Sequence, residues 1–165
     1  MKNNTYLVVG GDSLVGKELV KCLNLRGHKV YSTTRRVDQV AENKIYLNYD
    51  EIDNFSVPID VNYAFIVASI SNYQQCEQDP KSLRINLEVI PKLFISFLSK
   101  KIFTSFISTN SVFGGEYPWP DEGHPHAPGI AYAKQKSQAE KLMKKMAREI
   151  NRDNFFNIIR ITKIL

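Results

Sequence analysis

At 165 residues, 43% apolar and 24% charged, the chain has the make-up of one ordinary globular domain (residues 1–165) with room for a sizeable core. Two cysteines without metal-ligand spacing, Cys22 and Cys76, in a chain with no signal peptide to read, are expected as free thiols in a reducing, cytoplasmic compartment. No apolar run reaches membrane-span length, and the net charge of +5 lacks the aromatic interleaving of a nucleic-acid surface, so no membrane or nucleic-acid partner is expected.

The polar opening MKNNTY leads straight into YLVVG (residues 6–10), an apolar run expected as a buried strand, so it is not read as a targeting segment. Residues 13–26 follow as a helix, with Leu14, Val15, Leu19, Val20 and Leu23 on one face and Gly27 as the stop. HKVYSTT gives a second strand, KIYLNY a third, and NYAFIVAS (62–69) a fourth that is apolar enough to be covered on both faces. Asp79 caps and Pro80 opens a helix towards Lys100. Pro91 must kink or split it, because proline has no N–H and crowds the preceding turn. KIFTSFIST (101–109) is the fifth strand, GGEYPWPDEGHPHAPG a long loop, residues 131–151 a helix and FFNIIRIT the last strand. Lys134, Lys136, Lys141, Lys144, Lys145 and Arg148 mix with glutamates along that helix, the pattern of a solvated face. Strands alternating with helices imply right-handed βαβ units: a three-layer α/β fold with a doubly wound parallel sheet of about six strands. Its ligand site is expected at the carboxyl ends of the strands.

Three signals carry chemistry. GGDSLVG places Gly10, Gly11 and Gly16 between a strand and a helix, where a glycine turn offers free N–H groups and a positive dipole end to a pyrophosphate. Gly10 permits the tight turn, and Gly16 lets the helix pack close to the sheet. Ser13 keeps a donor but adds bulk, and Asp12 adds like charge that is tolerable only if it points to solvent. STTRR ends the second strand without the acid that would meet a ribose 2′-hydroxyl. Arg35 and Arg36 stand there instead, either solvating a loop or pairing with a 2′-phosphate, which favours NADP over NAD. Tyr132 and Lys136, four apart, share a helical face, where the ammonium is expected to pull the Tyr132 pKa towards neutrality. Thr109, at a strand end, is placed to hydrogen-bond a carbonyl or alcohol oxygen beside them.

Several residues carry weaker signals. His124 and His126 have no third ligand nearby, so solvent exposure rather than metal binding is expected. Asp121 and Glu122 read as surface residues. Tyr117 and Trp119 either cover the site or anchor the loop.

GGDSLVG, the VAS closing the fourth strand, Asn86 in DPKSLRINLEV, STNSVFGG, YAKQK and RITKIL together resemble the extended short-chain dehydrogenase/reductase (NAD-dependent epimerase/dehydratase) family. Within it the chain looks most similar to the dTDP-4-dehydrorhamnose reductase group and related sugar-nucleotide enzymes. The resemblance spans nearly the whole chain and implies a Rossmann fold and hydride transfer between NADP, or NAD, and a nucleotide sugar. It assigns Thr109 to hold the sugar oxygen, Tyr132 to pass its proton, Lys136 to bind the nicotinamide ribose and tune Tyr132, and Asn86 as a fourth catalytic member. The turn from Gly10 through Leu14 and Val15 to Gly16, then Thr34, Asn48 with Tyr49, and Ala68 with Ser69, are implied to line the cofactor. Ser13 departs from the family's middle glycine and Asn48 from its usual Asp, two departures that bear on cofactor affinity. Family members normally continue well past the strand matching FFNIIRIT. The chain is therefore expected to be a fragment, or a cofactor domain whose substrate lobe comes from a partner or homodimer mate, with little turnover alone. The alternative is a non-catalytic dinucleotide-binding or assembly module.

Overall fold

Parallel pairing joins β1 (Thr5–Val9), β2 (Lys29–Thr34), β3 (Lys44–Tyr46), β4 (Tyr63–Ile66), β5 (Phe103–Thr109) and β6 (Phe156–Ile161) in a computed structural model that describes residues 4–116 and 118–162. Across the sheet the order is β3-β2-β1-β4-β5-β6, the doubly wound arrangement expected from the alternation of elements. The winding reverses between β1 and β4, so a crevice opens there at the strands' carboxyl ends. Leu7, Val8 and Val9 of β1 are fully buried because both faces are covered. Leu7 and Val9 join Phe94, Phe97, Phe106 and Met143 on one side, while Val8 packs with Leu23 and Val30 on the other.

The helices are α1 (Leu14–Leu25), α2 (Tyr73–Gln78), α3 (Pro80–Arg84), α4 (Ile90–Ser99) and α5 (Ala131–Glu149). Gly27, at φ +77°, ends the turn after α1 as expected. The stretch from Asp79 to Lys100 is split as Pro91 demands, and the split has a definite form. A π-helical turn, Ile85–Val89, precedes α4, and the Ile90 N–H reaches back to the Ile85 carbonyl. Pro91, which has no N–H to give, then falls in the first turn of α4. The third strand is shorter than KIYLNY suggests. Asn48 accepts a hydrogen bond from the Asp50 N–H (3.0 Å) and caps a 3-10 helix, Tyr49–Asn54, which ends the extended run. No helix among the described residues is long and apolar enough to cross a membrane.

The charged face assigned to α5 needs correction. Lys136 and Glu140 are buried, at 2% and 0% exposure, while the remaining basic residues of the helix meet solvent. Arg160 of β6 grips the Glu140 carboxylate with Nη2 (2.7 Å) and Nε (3.1 and 3.2 Å), and Ser108 of β5 donates to it as well. The Nη2 group of Arg160 also faces His126 Nε2 at 3.2 Å. Arginine can only donate, so Nε2 is the acceptor and Nδ1 carries the proton towards Ser137 Oγ (2.8 Å). Burial holds the His126 pKa below its ordinary value, consistent with that neutral ring. His126 is thus wired into the core rather than solvent-exposed, and it anchors the long loop to α5. His124 packs edge-on against Phe113.

Candidate functional site

The glycine turn is built by close approach. Gly10 lies at φ +91°, and a Cβ there would sit 2.8 Å from the Ala68 nitrogen. At Gly16 a Cβ would meet the Gly10 carbonyl oxygen at 2.2 Å. The turn is tied to β2 by the Gly10 N–H donating to Thr33 Oγ1 (3.0 Å). Ser13 is extended (φ −71°, ψ 161°), a conformation that needs no glycine. Its hydroxyl donates to the Gly10 carbonyl (2.8 Å) and accepts from the Gly16 N–H (3.0 Å), so it caps α1. The next N–H groups, of Leu14 and Val15, begin the helix without intrahelical acceptors, and both residues line a cleft of about 520 Å³. Of the residues expected to line the cofactor, Gly11, Gly16 and Asn48 do not line this cleft, and the others do.

Asp12 departs from its expected orientation. It accepts from Thr34 Oγ1 (2.6 Å) and from Lys44 Nζ (2.7 Å) instead of pointing freely to solvent. Partial burial pushes its pKa up, but the Lys44 and Thr34 hydrogen bonds win and hold it below the usual value. Arg35 lies over the Tyr49 ring at 5.4 Å, and both line the cleft beside Arg36.

A second cleft, of about 550 Å³, adjoins the first; the two share Leu14, Val15, Ser71, Tyr132 and Ile161. Lys136 opens onto the first, Thr109 onto the second, and Tyr132 stands at the junction. The titration expected for Tyr132 is reversed. Burial, with Tyr73 and Cys76 nearby, pushes the phenol up to about 12. Lys136 spends a hydrogen bond on the Ile107 carbonyl (2.8 Å), lies over the Phe106 ring (4.4 Å), and is pushed down to about 7 by burial against the pull of Glu140.

This depression has a testable sign. An unfolded Lys136 keeps its proton up to its ordinary 10.5, whereas the folded one releases it near 7. The unfolded state therefore binds more protons between those values, and stability gains from rising pH in that window. The stability difference between wild type and Lys136→Met, read from urea midpoints, is expected to grow in favour of wild type from about pH 7 to about pH 9.5. A difference that does not change with pH would contradict the buried placement.

Asn86 lines neither cleft. Its amide accepts from the Ile70 N–H (2.9 Å) and donates to the Ile70 carbonyl (2.9 Å) and to Gln135 Oε1 (2.7 Å). It pins the loop after β4 to the residue next to Lys136. Sequence reasoning missed α2, which braces the same region. Glu77 accepts from the Ala131 N–H (3.1 Å) and caps α5, which has no cap of its own; the Tyr73 ring lies 5.8 Å from that of Tyr132. The helix is short and polar, and only Asn72, its N-cap, marks it in the sequence. Trp119 is 92% exposed and lines neither cleft; Tyr117 lies outside the described residues. No group of three His, Cys, Asp or Glu side chains among the described residues could hold a metal ion.

A model of the NAD dependent epimerase/dehydratase family matches residues 6–163. No curated protein sequence matches the chain. Among solved structures, MoeE5 in complex with UDP-glucose and NAD is 21% identical at a TM-score of 0.77, over 94% of this chain and 52% of that one. The dTDP-4-dehydrorhamnose reductase of Bacillus anthracis str. Ames in complex with NADP is 19% identical at 0.78, over 98% and 54%. UDP-glucose 4-epimerase of Thermotoga maritima with UDP-glucose is 16% identical at 0.73, over 94% and 54%. At these identities the likeness is one of fold, and the chain spans about half the length of each of these structures.

Proposed function

The chain belongs to the NAD-dependent epimerase/dehydratase family, and from that premise we propose that it serves a nicotinamide-dependent oxidoreductase or epimerase reaction on a nucleotide sugar. The observation that carries this reading is the pair of adjoining clefts meeting at Tyr132, one backed by the glycine turn and the other by Thr109. The residues fit a dinucleotide, because Gly10, at φ +91°, turns the chain at the edge of the cleft, the first turn of α1 borders it, and Arg35 and Arg36 line it. The turn and the Leu14 and Val15 N–H groups would hold the pyrophosphate, Arg35 and Arg36 a 2′-phosphate, Tyr49 the adenine, and Ala68 with Ser69 the loop side. Lys136 would hold the nicotinamide ribose. When bound, the nicotinamide supplies or takes up a hydride at a sugar carbon. Thr109, whose hydroxyl accepts from the Ser111 N–H (3.2 Å) and donates to Ser111 Oγ (3.1 Å), would turn its proton to the sugar oxygen. Tyr132, held protonated by its buried setting, gives that oxygen a proton, which suits reduction of a keto-sugar. Asn86 is a positioning residue, acting through Ile70 and Gln135.

The two arginines make NADP(H) the preferred cofactor. Arg35→Ala with Arg36→Ala is expected to weaken NADP(H) by about tenfold or more, roughly 1.5–3 kcal/mol of charge-assisted contacts, while sparing NAD(H). Calorimetry giving equal affinities for the two cofactors, or no loss in the double variant, would sink this preference. Because little turnover is expected of the chain alone, the reaction is tested with the protein in excess, where single turnovers suffice, using NADPH deuterated at the transferable position and a keto-sugar nucleotide. Mass spectrometry should find deuterium in the reduced sugar from wild type and none from Tyr132→Phe. Deuterium from both proteins, or from neither, counts against the assignment.

A further inference from the structure

We infer that Asp12 is a cofactor-selecting residue: its carboxylate, clamped by Thr34 and Lys44 at the carboxyl end of β2, opposes a 2′-phosphate and offers an acceptor to a ribose 2′-hydroxyl. The inference rests on reading the first cleft as a dinucleotide site. In a doubly wound sheet the end of β2 is where a protein meets the adenosine ribose, and an acid there selects the free hydroxyl. In this chain β2 ends at Thr34, is followed by Arg35 and Arg36, and supplies no acid. The acid arrives from the glycine turn instead.

Its placement is over-determined by three segments. The Arg36 N–H donates to Thr34 Oγ1 (3.1 Å), which directs the hydroxyl proton onto Asp12 Oδ2 (2.6 Å). Lys44, at the start of β3, donates to Asp12 Oδ1 (2.7 Å) and is itself steadied by Gln39 Oε1 (3.0 Å). The Asp12 and Lys44 side chains are 28% and 30% exposed, so solvent screens this pair less than an open surface pair. Each carboxylate oxygen accepts one hydrogen bond here, and an ionised carboxylate can accept more. Asp12, Thr34, Arg35 and Arg36 all line the same cleft. A 2′-phosphate entering it meets two arginines and one fixed carboxylate, whereas a 2′-hydroxyl meets a ready acceptor.

Calorimetry with 2′,5′-ADP and 5′-AMP, which differ at the ribose 2′ position, tests this without turnover. Asp12→Asn keeps the shape and removes the charge. It should raise the affinity ratio of 2′,5′-ADP over 5′-AMP by about tenfold. Lys44→Gln, which leaves the carboxylate without its cation, should lower the same ratio by about fivefold. A ratio that neither variant moves overturns the role of Asp12 while leaving the cleft a nucleotide site. Failure of wild type to bind either fragment overturns the dinucleotide reading and this inference with it.

Discussion

Gly16→Ala is expected to abolish dinucleotide binding and to destabilise the fold by roughly 1–3 kcal/mol or more. The reason is local and steric. The new methyl would sit 2.2 Å from the Gly10 carbonyl oxygen and 2.9 Å from Ser13 Oγ, and the nearest obstacle is backbone. Relief requires α1 to move off the turn, which breaks the Ser13 cap and displaces the Leu14 and Val15 N–H groups from the cleft. Gly129→Ala is the matched control: a Cβ there meets nothing within 4 Å among the described residues. Thermal unfolding should separate the two variants, with Gly129→Ala close to wild type.

Arg160→Met should cost about 3–5 kcal/mol, because it leaves a buried carboxylate without its cation. Glu140 is fully buried and Arg160 is 11% exposed, so water cannot replace the lost bonds. The Ser108 hydroxyl would remain as a neutral donor to Glu140, and His126 Nε2 would lose its Arg160 donor. Adding Glu140→Met in the same chain removes the stranded charge and should recover at least half of the loss. Urea midpoints of the two single variants and the double variant measure this. A near-zero effect of Arg160→Met would contradict the buried ion pair.

The parts of the site legible in the sequence are those coded locally. Gly10 and Gly16 sit within one strand–turn–helix, and Tyr132 and Lys136 within one helix, so spacing alone places each pair. The parts that were not legible depend on partners far along the chain. Asp12 reads as an awkward loop acid until Thr34 and Lys44 are brought beside it. Lys136 and Glu140 look like their solvated neighbours on α5, because burial depends on which face meets β5 and β6, and the Arg160 that neutralises Glu140 lies on another element. The expected tuning of Tyr132 by Lys136 followed from helical spacing, but spacing does not fix where a flexible ammonium bonds, and Ile107 claims it. Pro91 announced a break without revealing that a π turn would form it and carry Asn86 to Ile70.

The most direct test of the account is a titration of the purified chain with NADPH, followed by nucleotide fluorescence. A dinucleotide site at the crevice between β1 and β4 predicts a saturable change in wild type, retained in Gly129→Ala and lost in Gly16→Ala. No saturable change in wild type, or the same curve from a folded Gly16→Ala, would contradict it.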